Sequence, residues 1–187
     1  MPLSIRSDSM MLLSRVADLL FEAKIDFVVI GATAMAVYGV SRSTYDVDLM
    51  TIDTQALNAA TWAVLESEGI EVDLRYGDVQ DPLRGVVRFE AREQRPVDLI
   101  VGHGGWQTRI FDHAGRAVFE GVELPVVGQV DLILLKIYAG GPQDLWDIRQ
   151  LLDGDQSNEL QRLVSAALEN HPADLRKTWS KVVDGQH

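Results

Sequence analysis

The chain has 187 residues, the size of one ordinary domain or of a domain with a short appendage, and its 47% apolar and 24% charged residues exclude wholesale disorder and fibrous repeats. Its 17 Lys and Arg against 28 Asp and Glu give a net charge of -11, which disfavours non-specific binding to duplex DNA. Cysteine is absent, so disulfide scaffolds, thiolate metal sites and cysteine nucleophiles are excluded together, and any metal must be held by oxygen or histidine.

The first 25 residues have no uninterrupted apolar stretch leading to a small-residue cleavage site, and no later run of about 18 apolar residues follows; no membrane span and a cytoplasmic location are expected. Leu12, Val16, Leu19, Leu20 and Ala23 recur at helical spacing after Asp8 and Ser9, whose side chains can accept the unpaired amide hydrogens of a helix start. Phe27, Val28, Val29 and Ile30 predict a strand that runs into Gly31, and the small residues of 32–38 predict a helix packed closely on it. Residues 44–50 alternate polar and apolar with period two, which predicts a strand with one buried face and puts Asp46 and Asp48 on a common side.

Leu57, Ala60, Val64 and Leu65 predict a helix that Gly69 stops before a strand at 70–74. Residues 86–91 and 97–101 predict a hairpin turning through 93–96, with Pro96 tolerable at the start of its second strand. A short helix is expected around Ile110, Phe111 and Ala114, then an edge hairpin joining 117–119 to 122–127 through Glu120 and Gly121. From Gly128 the period becomes helical: Val130, Ile133, Leu134 and Ile137, a break at Gly140, Gly141 and Pro142, then Leu145, Ile148, Leu151 and Leu152. Leu160, Leu163, Val164, Ala167 and Leu168 continue the pattern, and Pro172 opens a last short helix. The expected fold is α/β (α+β), with residues 1–127 as the α/β body and 128–187 as a helical C-terminal segment.

The sharpest chemical feature is Asp46-Val47-Asp48. Residues two apart on a strand lie roughly 6.5–7 Å apart on one face, close enough for both side chains to reach one cation. Like charges about 4 Å apart repel by roughly 4 kcal/mol at an effective dielectric near 20, so an ordered pair calls for a counter-charge such as Mg²⁺. Two solvated carboxylates are the plain alternative, and Glu71-Val72-Asp73 has the same spacing, so spacing alone does not choose. Company distinguishes the first pair: Gly31 and Ala32 at a strand end, where backbone N–H groups can approach a phosphate, and Arg42-Ser43-Thr44 just before the acidic strand.

The order strand, Gly31-Ala32, helix, residues 39–44, strand with Asp46-x-Asp48 resembles the polymerase-beta-like nucleotidyltransferase superfamily, whose hallmark is a Gly-Gly or Gly-Ser turn followed by an hDhDh strand. The spelling G-A-x-A-M-A-x-x-G-x-x-R-x-T-x-D-x-D-L from Gly31 to Leu49, with the helical run from Asp131 to Ile148 that carries Lys136, Asp144 and Asp147, looks most like the small AbiEii-type bacterial enzymes of toxin-antitoxin systems. The resemblance covers about residues 27–50 and 128–152. It implies a nucleotidyltransferase fold, a mixed β-sheet flanked by helices, and a third carboxylate, Asp98, on the strand at 97–101. Asp46 and Asp48 would ligate two Mg²⁺ ions, and Asp98 would complete one shell and act as base toward an incoming hydroxyl.

By the same resemblance Gly31 and Ala32 would hold the triphosphate of an NTP through backbone amides, and Lys136 would reach the β- and γ-phosphates. Arg42 and Thr44 are counted with the nucleotide-binding residues, Arg42 serving either as a phosphate contact or as a structural ion pair. Asp144 and Asp147 either orient Lys136 or favour a helix N-terminus. The implied activity is transfer of an NMP group to a hydroxyl, with an RNA 3′ end, a protein side chain or a small molecule such as an aminoglycoside as acceptor, and with an antitoxin as possible partner. A non-catalytic nucleotide-binding or regulatory module on the same fold is the alternative. A dinucleotide turn lacks its G-x-G-x-x-G here, and a haloacid-dehalogenase-type site needs its acidic pair at the end of an apolar strand. Arg84, Arg88, Arg92 and Arg95 either guide an RNA end or pair with Glu90 and Glu93, and His103, His113, His171 and His187 lie at no metal-ligand spacing.

Overall fold

The computed structural model describes residues 11–155, 157–169 and 171–185. Helix α1 (Leu12–Glu22) turns Leu13, Val16, Ala17 and Leu20 into the core. The expected caps Asp8 and Ser9 lie outside the described residues. The Leu12 N–H instead donates to Gln94 Oε1 at 2.5 Å, tying the helix start to a distant hairpin turn.

Seven strands follow: β1 (Val28–Val29), β2 (Val47–Thr51), β3 (Glu71–Tyr76), β4 (Gly85–Glu90), β5 (Val97–Val101), β6 (Gly115–Phe119) and β7 (Val122–Val126). They form one mixed sheet in the order β3-β4-β5-β2-β1-β7-β6. The β1–β7 and β2–β5 pairs are parallel, and the β1–β2, β3–β4, β4–β5 and β6–β7 pairs are antiparallel. In the middle of the sheet β5 buries Val97, Leu99 and Val101 on one face and half-buries Asp98 and Ile100 on the other, whereas β3 at the edge is largely exposed. The β6–β7 turn uses Glu120 and Gly121 at φ 52° and 85°, the left-handed pair that matches a two-residue hairpin to strand twist.

Between the strands lie α2 (Gly31–Val37), α3 (Ala63–Ser67) and α4 (Arg109–Asp112). The predicted helix from Leu57 to Leu65 is instead two 3₁₀ turns, Thr54–Leu57 and Ala59–Trp62, leading into the single α-turn of α3. Asp53 and Asn58 cause the difference: their side chains accept the N–H groups of Gln55 and Ala60 and restart the chain twice. The payoff in packing is Trp62, fully buried, its indole N–H donating to Ala56 O at 2.8 Å and its ring meeting Phe89 edge-on at 4.8 Å.

Four helices close the chain: α5 (Gln129–Ala139), α6 (Pro142–Leu151), α7 (Ser157–Leu168) and α8 (Ala173–Val183). Gly140 at φ 66° ends α5 in the left-handed conformation and Pro142 begins α6, so the two helices meet at a sharp corner. Leu132 and Ile133 of α5, Ile148 of α6 and Val164 of α7 join the sheet residues Val29, Leu49 and Leu99 in one continuous apolar core. Among the described residues no helix is long and apolar enough to cross a membrane.

Candidate active site

The site begins where β1 stops. The Ile30 N–H donates to Asp48 O at 2.9 Å, which clamps the start of α2 against β2. Gly31 then takes φ +64°, and a Cβ at this position would overlap the Asp48 carboxylate. Handedness and space both therefore demand glycine.

β2 begins at Val47 rather than at Thr44, because Thr44 Oγ1 donates to Asp46 O at 3.1 Å and to Asp46 Oδ1 at 3.0 Å, folding the approach into a bend. Asp46 thus sits at the mouth of the strand and Asp48 on it. The parallel register sets Asp48 opposite Asp98, and the antiparallel register on the other side of β5 sets Asp98 opposite Arg88. Arg88 Nη1 donates to Asp98 Oδ1 at 3.0 Å and Oδ2 at 2.8 Å and lies 3.7 Å from Asp46 Oδ2. The charges cross three neighbouring strands in a row.

Burial, followed by repulsion from Asp46 and Asp98, pushes the Asp48 carboxyl up to about 6, with Lys136 and Arg42 pulling weakly the other way. Burial also raises Asp98; Arg88 opposes that rise and Asp46 adds to it. The carboxylates are short of positive charge where Arg88 does not reach.

Beside Asp48 opens a cavity of about 270 Å³. Gly31, Asp48, Arg42, Lys136 and Asp144 give it polar walls, and Met50, Leu132, Leu135 and Tyr138 give it apolar ones. Lys136 is 6% exposed; its Nζ donates to Asp147 Oδ2 at 2.5 Å and reaches Asp144 Oδ1 at 3.5 Å. Asp147, fully buried, also accepts from Gln143 Nε2 at 3.0 Å and faces Arg42 Nε at 3.6 Å. Asp144 Oδ2 accepts the Gly141 N–H at 3.2 Å, so this one carboxylate both caps α6 and contacts Lys136.

The structure gathers the sequence-predicted residues into two adjoining groups. Asp46, Asp48 and Asp98 lie together with Arg88, and Gly31, Arg42, Lys136 and Asp144 share the cavity with Asp48. Asp147 lies beneath that cavity, Thr44 braces Asp46, and Ala32 is buried in the packing of α2. Asp73, from the second acidic pair, is exposed on the edge strand and bonds Arg75 at 2.8 Å. Three of the four arginines of the basic run are ion-paired, Arg88 with Asp98 and Glu90, Arg92 with Glu93, and Arg95 with Glu120, Arg95 also donating to Asp46 O; exposed Arg84 donates to His103 O at 3.3 Å. Sequence reasoning missed Arg88 as a member of the acidic site and Tyr138 as a cavity wall. The hairpin register contained the first signal, since β4 and β5 in register bring residue 88 beside residue 98.

The acidic site fits a divalent cation in donor type and in charge: hard carboxylate oxygens, with Asp48 lacking a counter-ion of its own. Among the described residues, no three acidic or histidine side chains already converge as a metal centre, and Arg88 is bonded to the carboxylate that would close one.

A mixed sheet whose central strands carry aspartates beside a glycine turn is the arrangement of the nucleotidyltransferases. Residues 9–176 match the model of one such family, described as a nucleotidyl transferase of unknown function (DUF2204), and the chain belongs to it. Among solved structures, a candidate nucleotidyltransferase of Thermotoga maritima superposes with a TM-score of 0.51 at 16% identity, covering 75% of this chain and 90% of its own. An antigenic nucleotidyltransferase-like protein of Paracoccidioides brasiliensis gives 0.49 at 18% identity, covering 92% and 85%. ANT(2″)-Ia in complex with adenylyl-2″-tobramycin gives 0.49 at 13%, covering 94% and 97%. The T. maritima likeness shows the fold. No curated protein matches the chain in sequence.

Proposed function

We propose that the protein transfers a nucleoside monophosphate from an NTP to a hydroxyl acceptor, using Mg²⁺ held by Asp46, Asp48 and Asp98. One observation carries this reading: Asp48 and Asp98 are in register on adjacent central strands, against the Gly31 turn, with Asp48 short of counter-charge. Cations bound to these carboxylates supply charge neutralisation for in-line displacement at phosphorus. The acceptor oxygen bonds to the α-phosphorus as the bond to the β-phosphate oxygen breaks and pyrophosphate leaves. Asp98, made more basic by burial, takes the hydroxyl proton. Arg42 and Lys136 face the polyphosphate from the cavity wall, with Asp144 and Asp147 fixing Lys136 in place. In this division residues 1–127 supply the carboxylates and 128–187 the ammonium group.

The AbiEii-like spelling supports a toxin whose acceptor is an RNA 3′ end or a protein side chain, in an operon with an antitoxin; a small hydroxylated antibiotic is the other acceptor class to test. Purified protein with Mg²⁺, each labelled NTP and total tRNA, or an aminoglycoside in its place, transfers label, and Asp46→Asn and Asp48→Asn abolish the transfer. A second reading rests on Arg88, whose hold on Asp98 suits a nucleotide-binding module without turnover. Nucleotide binding without transfer, unaltered by either substitution, supports the module and rejects the enzyme.

A further inference from the structure

We infer that Arg88 is a built-in competitor for the divalent cation and that Glu90 is the place to which its guanidinium withdraws. This inference rests on the metal-dependent reading of the acidic site.

The geometry supplies each part. Arg88 Nη1 serves two carboxylates, chelating Asp98 on β5 at 3.0 and 2.8 Å and approaching Asp46, just before β2, to 3.7 Å. These are the oxygens that a cation shared between Asp46 and Asp98 must use, so guanidinium and cation draw on the same lone pairs. The other end of the guanidinium is tethered separately, Nε donating to Glu90 Oε1 at 2.6 Å. Arg88 and Glu90 stand two apart on β4 and share a face of the sheet. The Glu90 side chain is 48% exposed, against 17% for Asp98, so Arg88 bridges an inner anchor and an outer one. Holding the Nε–Glu90 bond while Nη1 swings outward frees Asp98 by side-chain rotation alone, with no movement of the strand.

The same contact neutralises the acidic site in the apo protein. With Arg88 in place, Asp46 and Asp98 have a counter-charge before any ion arrives. A carboxylate has about four acceptor sites, so competition is graded rather than all-or-none.

The test is titration of the full-length, nucleotide-free protein with Mn²⁺, reading free Mn²⁺ by electron paramagnetic resonance. Arg88→Gln is expected to bind Mn²⁺ about tenfold more tightly than wild type, the loss of one charge-assisted competitor. Glu90→Gln takes the charge from the outer anchor, shifts Arg88 toward Asp98, and weakens binding by about threefold, the scale of one exposed ion pair. Arg88→Lys, which keeps the charge but loses the fork, falls between wild type and Arg88→Gln and serves if the glutamine variant does not fold. Circular dichroism melts confirm folding, and saturating Mn²⁺ raises the Tm of Arg88→Gln more than that of wild type. Equal or weaker Mn²⁺ binding by both Arg88 variants overturns the competition while leaving the metal reading intact. Absence of Mn²⁺ binding in wild type and variants alike overturns both.

Discussion

Asp48 and Asp98 face each other across the parallel β2–β5 pair, so two strands in the middle of the sheet present adjacent carboxylates, one unneutralised and one held by Arg88. Such an arrangement is a standing electrostatic load on the fold, and sites that carry such loads are where function is found.

The load has a sign that can be measured. The Asp48 carboxyl is pushed up to about 6, first by burial and then by Asp46 and Asp98, so between roughly pH 4 and 6 the folded chain holds a proton that the unfolded chain has lost. Stability is therefore greatest below the unfolded value and falls as pH rises through about 6. Asp48→Asn, which has no charge to bury, is expected to be more stable than wild type by up to about 3 kcal/mol at pH 8, with the gap closing below about pH 4. Urea denaturation in the presence of a chelator at several pH values checks it. A constant gap across pH, or a less stable variant at pH 8, rejects the electrostatic account.

Much of this was legible in the chain, and the parts that were not have physical reasons. Strand positions and most helix positions follow from periodicity, and the association of Gly31 with Asp48 follows from the strand-turn-helix spelling. The α-helical pattern at 57–65 misleads because Leu57 and Val64 satisfy a helical template while Asp53 and Asn58 close local turns that the template ignores. Arg88 was visible only as one of four arginines. Its partner was set by hairpin register, which joins residues ten apart in sequence through a turn whose geometry the residue types leave open. Lys136 and Asp147 meet because Gly140 and Pro142 bend the chain; the family resemblance offered this contact as one of two roles for Asp147, and no pattern within either helix does.

Gly31 tests the closeness of turn and carboxylate. Alanine at φ +64° costs about 1–2 kcal/mol from handedness alone, and its Cβ must also displace the Asp48 carboxylate. Gly31→Ala is expected to lower stability by more than that amount and to abolish nucleotidyl transfer. In an Asp48→Ala background the same substitution should be cheaper, because the overlapping group has gone. Additive effects in that double-mutant cycle would mean that the two residues do not touch.

The second acidic pair provides the contrast. Asp73 is exposed on the edge strand and bonded to Arg75, an ion pair of the kind worth little. Asp73→Asn is expected to change stability by less than about 0.5 kcal/mol and to leave label transfer and Mn²⁺ affinity at wild-type levels. A large loss of transfer in this variant would remove the ground for choosing Asp46 and Asp48 over Glu71 and Asp73.

The buried pair at the α5–α6 corner is the remaining liability. Asp147 is fully buried, and Lys136 is its nearest cation, with Arg42 Nε standing 3.6 Å off and Gln143 supplying one hydrogen bond. Lys136→Met keeps the stem packed and deletes only the charge, leaving Asp147 with too little compensation in a site that water does not reach. Breaking such a pair from one side costs about 3–5 kcal/mol, and the Arg42 contact puts the expected loss at the lower end, about 3 kcal/mol. Replacing both partners, Lys136→Met with Asp147→Leu, should recover most of the loss, since the desolvated carboxylate is then absent. The two cases separate cleanly in urea denaturation. NTP affinity does not separate them: both variants lack the ammonium group at the cavity wall, so both should bind NTP weakly even where the double variant folds as stably as wild type. A double variant with restored stability and undiminished NTP affinity would assign Lys136 to the fold alone.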